Sequence, residues 1–119
     1  MRITPERTIE VSLKDKNITS AWDTDPGVVR TGLQHIVFVV DGKANIITTI
    51  VNGKLCDGGR YRVTGWSWFD PEINNVSGTG NFSIMPDFNG ELKEIRIYNR
   101  YLTTSEAIGN YRAEFSNFK

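Results

Sequence analysis

Short stretches of alternating apolar and polar residues predict β-strands along most of the chain. Residues 9–14 alternate with a period of two, which is typical of a strand with one buried face. Two continuous β-branched runs follow, His35–Val40 and Asn45–Val51, with Asp41-Gly42 between them. Asn52-Gly53 comes directly after the second run. Because glycine accepts a positive φ without steric cost, both dipeptides predict the tight turns of β-hairpins.

Four shorter runs predict further strands. They are a run through Leu55 and Cys56, RYRVTGWSWF at residues 60–69, NFSIM at residues 81–85 and LKEIRIY at residues 92–98. Proline, glycine, asparagine and aspartate are concentrated in residues 22–27 and 71–80, which predicts loops there. Seven or so short strands without alternating helices indicate an all-β fold, an antiparallel two-sheet β-sandwich or jelly roll.

The hydrophobic period changes near the C-terminus and predicts one short helix. Thr103 and Glu106 form the pattern T-x-x-E, a capping box in which each side chain satisfies a backbone N–H group of the other residue. Ile108, Tyr111 and Phe115 follow with the spacing of one helical face. The sequence therefore predicts a helix that begins near Thr103 and packs through this face.

Charge and composition exclude several partners. The 119 residues include 14 Lys and Arg and 14 Asp and Glu, so the formal net charge is zero. Binding to nucleic acid through phosphate contacts needs a basic surface. No apolar run reaches the roughly 18 residues that a membrane-spanning helix requires. We therefore expect no nucleic acid and no membrane as partner.

Three motifs in order resemble laminin G-like domains of the concanavalin A-like lectin fold. Residues 90–111, GELKEIRIYNRYLTTSEAIGNY, resemble the C-terminal signature of that family, in which RIYNRAL precedes a Thr or Ser cap and a short helix. GLQHIVFVVDG at residues 32–42 and TTIVNGKL at residues 48–55 resemble its upstream hairpin. The resemblance implies a jelly roll in which the helix covers one end of the sheets, as a lid that Ile108 and Tyr111 fix on the last strand.

The resemblance also bears on domain organisation. It implies that residues 1–119 are a single laminin G-like domain, a shortened or C-terminal portion of a larger module, because only about 31 residues precede the hairpin. Missing strands would leave sheet edges that are templates for pairing. We therefore expect a homodimer, or contact with neighbouring domains of a larger chain.

Trp66 and Trp68 are the first candidate ligand-binding residues. They lie two positions apart, so on a strand they share one face. Indole rings can hold the apolar C–H face of a pyranose, whose hydroxyl groups then need polar partners. Side chains close in sequence that could complete such a site are Asp57, Arg60, Tyr61 and Asp70. The alternative is that both rings fill the sandwich core; it is marginally favoured because tryptophan is largely buried on average.

Asp23 and Asp25 are candidate calcium ligands. They lie in the predicted loop WDTDPG, and hard cations take carboxylates from turns. Calcium is common in related lectin-like jelly rolls, so the resemblance makes calcium a candidate cofactor. The EF-hand pattern is not completed after Asp25, and a turn-forming role for both aspartates is the plainer interpretation.

No residue is predicted to be catalytic, and we expect that the protein is not an enzyme. His35 is the only histidine. Since it lies in an apolar strand-like run, we interpret it as a packing or hydrogen-bonding residue rather than a general base. Cys56 is the only cysteine and is interpreted as a small buried hydrophobic residue. Glycoside hydrolysis needs two carboxylates across a cleft, whereas the acidic residues here are scattered over turns.

Two functions remain open from the sequence. The first is a non-catalytic carbohydrate-binding or adhesion module of a secreted or surface multidomain protein, accessory for example to a glycosidase or sulfatase. It implies a glycan ligand and an extracellular or cell-surface location, although MRITPERT at the N-terminus lacks the apolar stretch of a signal peptide. The second is a structural or protein–protein interaction module with buried tryptophans and no glycan ligand. Jelly rolls host many functions, so the fold does not decide between the two.

Overall fold

The structure is a computed structural model that describes residues 1–56, 65–74 and 88–118. The elements in these residues are β1 (Arg2–Ile3), β2 (Ile9–Asp15), β3 (Ile18–Asp23), β4 (Ile36–Asp41), β5 (Ile46–Val51), β6 (Lys54–Leu55), β7 (Trp66–Trp68), α1 (Thr104–Glu114) and a 3-10 helix (Phe115–Phe118). The strand predicted at residues 81–85, and the part of the predicted strand 60–69 before Gly65, lie outside the described residues.

Sheet A is formed by β1, β2 and β3 in that order, all antiparallel. The predicted alternating strand at residues 9–14 is β2. It continues into β3 through the two-residue turn Lys16-Asn17, where Lys16 has a φ of 28°. The sequence pattern did not predict β3, because the polar Ser20 is one of its more buried positions. Trp22 and Asp23, which were predicted to lie in a loop, are instead the last two residues of β3.

Sheet B is built around β5. Strand β4 pairs along one side of β5, and β6 and β7 pair with opposite ends of its other side. The predicted β4–β5 hairpin is confirmed, but its turn differs in detail. The positive φ of 55° lies at Asn45 and not at Gly42. The Asp41 carboxylate closes the turn by accepting the N–H groups of Lys43 at 3.0 Å and Ala44 at 3.2 Å.

The two sheets pack face to face and confirm the predicted antiparallel β-sandwich. Between them lies a core cluster in which Ile9 of β2, Val51 of β5 and Cys56 are buried. Half-buried apolar residues of β2, β4 and residues 28–29 surround the cluster. Strand β2 fits the period of two that the sequence showed, whereas β5 has buried residues on both faces, with Val51 in this cluster and Ile50 in a second one.

Helix α1 packs on the outer face of sheet B, the face turned away from sheet A. Ala107 is fully buried and packs with Leu102 against Val39 of β4 and Ile50 of β5. Ile108 is half-buried against the same cluster. The helix therefore covers part of a sheet face, whereas the resemblance implied that it covers one end of the sheets.

The predicted capping box at the start of α1 is confirmed. Thr103 Oγ1 accepts the N–H of Glu106 at 3.3 Å, and the Glu106 carboxylate accepts the N–H of Thr103 at 2.7 Å. The Arg100 guanidinium binds the same carboxylate at 2.9 Å. The bond from Arg100, followed by those from Thr103, lowers the pKa of Glu106 to about 2.

The predicted strand at residues 92–98 is not a strand in the structure. Its backbone pairs with no described strand, and Leu92, Ile95 and Ile97 are exposed. That prediction is wrong because alternation shows what a segment could bury, while a strand also needs a neighbour for its N–H and C=O groups. The helix therefore does not rest on this segment as a last strand. An ion pair between Arg96 and Glu114 links the segment to the end of α1.

Candidate functional site

The two candidate tryptophans lie on the outer face of sheet B. Register pairs Trp66 with Thr48 and Trp68 with Ile46. These β5 positions alternate with Ile47, so they share the face on which Ile50 meets helix α1. We call Ile46, Thr48, Trp66 and Trp68 the tryptophan patch. It lies at the end of the face where β7 pairs, beyond the part covered by α1.

Alternation along β7 explains why the rings point outward. Phe69 follows the strand, lies on the opposite face from the tryptophans and is buried, with a relative exposure of 6%. Its N–H group donates to the Asn45 carbonyl at 2.9 Å, and the next N–H group, of Asp70, donates to Ser20 Oγ of β3 at 2.9 Å. Because Phe69 anchors the chain in the sandwich, its neighbour Trp68 faces solvent.

The rings of the patch form a tilted aromatic pair. Their centroids are 5.3 Å apart with an interplanar angle of 50°, within the range that aromatic pairs prefer. Trp66 is half-buried and Trp68 is 72% exposed. The marginally favoured placement of both rings in the core is therefore wrong for Trp68. The exposed ring of Trp68, packed against the ring of Trp66, therefore offers an apolar surface to a ligand.

The polar residues predicted to assist the tryptophans are placed less favourably. Asp57, Arg60 and Tyr61 lie outside the described residues. Asp70 is half-buried, and its carboxylate accepts the N–H of Glu72 at 2.9 Å in a turn. A turn-stabilising role therefore accounts for one oxygen of Asp70.

Sequence reasoning missed Thr48 and Ile46 as members of the patch. Thr48 is half-buried and lies directly opposite Trp66, so the register brings a hydroxyl-bearing residue beside the rings. Alternation within residues 45–51 places Ile46 and Thr48 on one face. No sequence signal indicated that β7 would pair with this end of β5, because strand pairing is a long-range contact.

The candidate calcium ligands lie at the end of β3 and in the turn that follows it. Asp23 is the exposed last residue of β3, opposite Glu10, and Asp25 is half-buried in the following turn. Among residues 1–56, 65–74 and 88–118, no group of three or more Asp, Glu, His or Cys side chains is placed to hold a metal ion. Stable calcium coordination takes six to eight oxygen ligands.

Asp25 instead contributes to a cleft of about 290 Å³ between the segment 25–30 and the β5–β6 turn. Residues Asp25, Pro26, Gly27, Val28, Arg30, Val51, Asn52, Lys54, Leu55 and Cys56 line it. Val51 is the end of β5 opposite to Ile46, so the cleft and the tryptophan patch are at different ends of sheet B. The two predicted ligand features therefore do not form one site.

His35 has the packing environment that the sequence predicted. Its ring lies 5.5 Å from the ring of Tyr111, and its backbone N–H donates to Asn52 Oδ1 at 2.9 Å. The buried Nδ1 has no hydrogen-bond partner among the described residues, and burial lowers the pKa of the imidazole. Cys56 is buried in the core between the sheets.

The two antiparallel sheets and the C-terminal helix make the protein an all-β sandwich domain of the concanavalin A-like type, and comparison with known families agrees. A family model named for laminin G, with the description concanavalin A-like lectin/glucanases superfamily, matches residues 1–107. The chain therefore belongs to this superfamily, whose domains often bind carbohydrates or mediate interactions and are commonly extracellular. No curated protein and no solved structure shows significant similarity to the chain. No helix among the described residues has the length and apolar character to cross a membrane.

Proposed function

We propose that the protein is a non-catalytic carbohydrate-binding module that holds a sugar ring against the tryptophan patch. One observation carries the proposal: Trp68 is 72% exposed on a flat sheet face while Trp66 supports its ring from 5.3 Å. Exposing a large aromatic ring forgoes the stabilisation that burial of such a side chain provides. A ligand that covers the ring would recover that stabilisation.

The chemistry of the patch suits a pyranose. One face of a sugar ring presents C–H groups, which pack against an indole, and its edge presents hydroxyl groups. Thr48 supplies a hydroxyl that both donates and accepts hydrogen bonds beside Trp66. The patch is an open surface, which fits binding to an extended glycan chain better than enclosure of a monosaccharide.

Family membership supports the remaining parts of the proposal. We infer an extracellular or cell-surface location, within a multidomain protein such as one that also carries a glycosidase or sulfatase. The alternative is a protein-interaction module, favoured by the exposed apolar side chains of Leu92, Ile95 and Ile97. The version of this alternative in which both tryptophans are buried does not agree with the exposure of Trp68.

Glycan binding with matched variants tests the proposal. Wild type, Trp68→Ala and Trp68→Tyr are compared on a glycan array, with calcium and with a chelator, and hits are titrated by isothermal calorimetry. Leu33→Ala is the control. Leu33 is an exposed apolar residue that precedes β4, at the end of sheet B away from the tryptophan patch. We expect the Ala variant at Trp68 to lose at least about tenfold in affinity, while the Tyr variant keeps part of it and Leu33→Ala is unchanged.

Several outcomes would contradict the proposal. They are no binding of wild type to any glycan, equal binding by wild type and the folded Trp68→Ala variant, or an equal loss in the Leu33→Ala control.

The same experiment tests calcium dependence. Loss of binding with the chelator, and the same loss in an Asp25→Asn variant, would show that binding needs calcium. Binding that is equal with and without chelator would show that glycan binding does not depend on calcium.

A further inference from the structure

Residues 91–98, ELKEIRIY, expose four large apolar side chains among four charged ones. Leu92, Ile95, Ile97 and Tyr98 have relative exposures of 57%, 48%, 70% and 43%. Single exposed apolar residues are ordinary on protein surfaces, but four large ones within seven consecutive residues make the segment a candidate interaction site. This segment does not include any residue of the tryptophan patch, so its role is separate from the proposed sugar binding.

The backbone of the segment also has capacity for pairing. Its N–H and C=O groups form no backbone hydrogen bonds in the described structure. The segment contains two isoleucines and a tyrosine, which are residue types that favour strands. A partner strand would satisfy these backbone groups and bury the apolar side chains in the same step.

Contacts with α1 hold the segment in place. Arg96 forms ion pairs with Glu94 at 2.5 Å and with Glu114 of the helix. The Asn110 amide donates to the Tyr98 hydroxyl at 3.4 Å. Glu94 and Arg96 are two positions apart and their side chains meet, so they lie on one side of the segment, as they would in a strand.

The segment is self-complementary in one antiparallel register. A two-fold axis through Ile95 places Ile95 opposite itself, Glu94 opposite Arg96, and Leu92 opposite Tyr98. Symmetry repeats each of the last two pairs, giving two pairs of opposite charge and two apolar pairs, and Lys93 lies opposite Ile97 in the remaining two. Directly opposite residues interact most strongly in antiparallel strands, and opposite charges there are stabilising.

Neighbouring registers fit less well. An axis through Glu94 places Glu94 opposite itself, and an axis through Arg96 places Arg96 opposite itself, and like charges in these positions are destabilising. An axis through Ile97 places Ile95 opposite Asn99 and Arg96 opposite Tyr98, so that register loses the apolar pairs. The pattern of charged and apolar residues therefore selects the register centred on Ile95.

We propose that residues 91–98 are a self-association surface through which two copies of the chain pair as antiparallel strands centred on Ile95. The partner is a second copy because the segment complements itself in charge and in apolar pairs. The zero formal net charge adds no overall repulsion between copies. The interface is isologous, so every contact occurs twice.

Complementary charge reversal tests this surface. Arg96→Glu places glutamate opposite glutamate in both symmetry-related pairs of positions 94 and 96. Glu94→Arg places arginine opposite arginine there. Each variant alone should therefore be a monomer. In an equimolar mixture, one copy carries two glutamates and the other carries two arginines at positions 94 and 96. A heterodimer of the two variants therefore has Glu opposite Arg in both pairs. We expect sedimentation equilibrium to show dimers for wild type and for the mixture, and at least about a tenfold weaker self-association for either variant alone.

Controls separate pairing from unfolding. Circular dichroism and thermal melts establish that each variant is folded, and Ile3→Ala removes an exposed apolar side chain elsewhere without affecting association. Ile95→Lys, which places two ammonium groups on the axis, should also dissociate the dimer. A strictly monomeric wild type, variants that associate as wild type does, or a mixture that stays monomeric would each overturn the proposal.

Discussion

The outer face of sheet B is divided into a half that helix α1 covers and a half that stays open. Under the helix, Val39 and Ile50 are buried with Ala107 and Leu102. At the open end, Thr48 and Ile46 continue the same face of the same strand, but Trp68 beside them is 72% exposed. Both halves have apolar side chains at alternating positions. The comparison teaches that an apolar sheet face becomes core or ligand surface according to what covers it.

The difference predicts opposite costs of substitution in the two halves. Ile50→Ala should lower the free energy of unfolding by about 2–5 kcal/mol, because it leaves a cavity under the helix. Ile46→Ala, the matched change on the same face of β5, removes only half-buried atoms and should cost less than about half as much. Urea denaturation measures both. Equal losses would mean that the open half is as well packed as the covered half.

The contact between helix α1 and the β5–β6 turn gives the next largest expected effect on stability. Asn52 and Gly53 have φ of 52° and 71°, as the predicted tight turn requires, and a Cβ at Gly53 would overlap the ring of Tyr111. Gly53→Ala should destabilise by about 1–3 kcal/mol through strain and displacement of Tyr111. Gly42→Ala is the control, since Gly42 lacks a positive φ and has open space around its Cα. Similar melting temperatures for the two variants would contradict this account.

The cap of the covering helix should contribute less. Thr103→Ala removes the acceptor for the Glu106 N–H and should cost on the order of 1 kcal/mol. Thr103→Ser keeps a hydroxyl at the same position and should retain most of the stability. Thermal unfolding of the three proteins checks the order. An alanine variant as stable as wild type would show that packing of Ala107 alone holds the helix.

The smallest effect is a pH dependence at the same cap. Arg100 and Thr103 lower the pKa of Glu106 from 4.5 to about 2, so the folded state favours the ionised carboxylate. The stability that this preference adds is present above about pH 4.5 and is lost as pH falls towards 2. Glu106→Gln should therefore flatten the acid limb of a stability–pH curve. Parallel curves for wild type and variant would assign the acid sensitivity to other groups.

Local patterns predicted the local elements well. The β4–β5 hairpin, the Asn52-Gly53 turn and the capping box at Thr103 are all present, because each depends on neighbours within a few residues. The same reasoning failed for β3 and for residues 92–98. In β3 the partner strand decides the structure despite the polar Ser20, and at 92–98 no described strand pairs with an alternating sequence.

The candidate site shows the same division. Spacing alone placed Trp66 and Trp68 on one face of a strand. It did not reveal which face, because the apolar Phe69 follows on the opposite side and could have pointed outward instead. Burial of Phe69 and pairing with Ile46 and Thr48 decided that the tryptophans face solvent.

The sequence by itself determined the sandwich class, the hairpins and the start of the helix, because turn geometry and capping are properties of short segments. The tertiary structure decided that α1 covers only part of sheet B and that Trp68 remains exposed. Coverage depends on contacts between residues far apart in the chain, such as Ala107 with Val39 and Trp66 with Thr48. The free energy of burial depends on which surfaces meet, and a one-dimensional pattern does not contain that information.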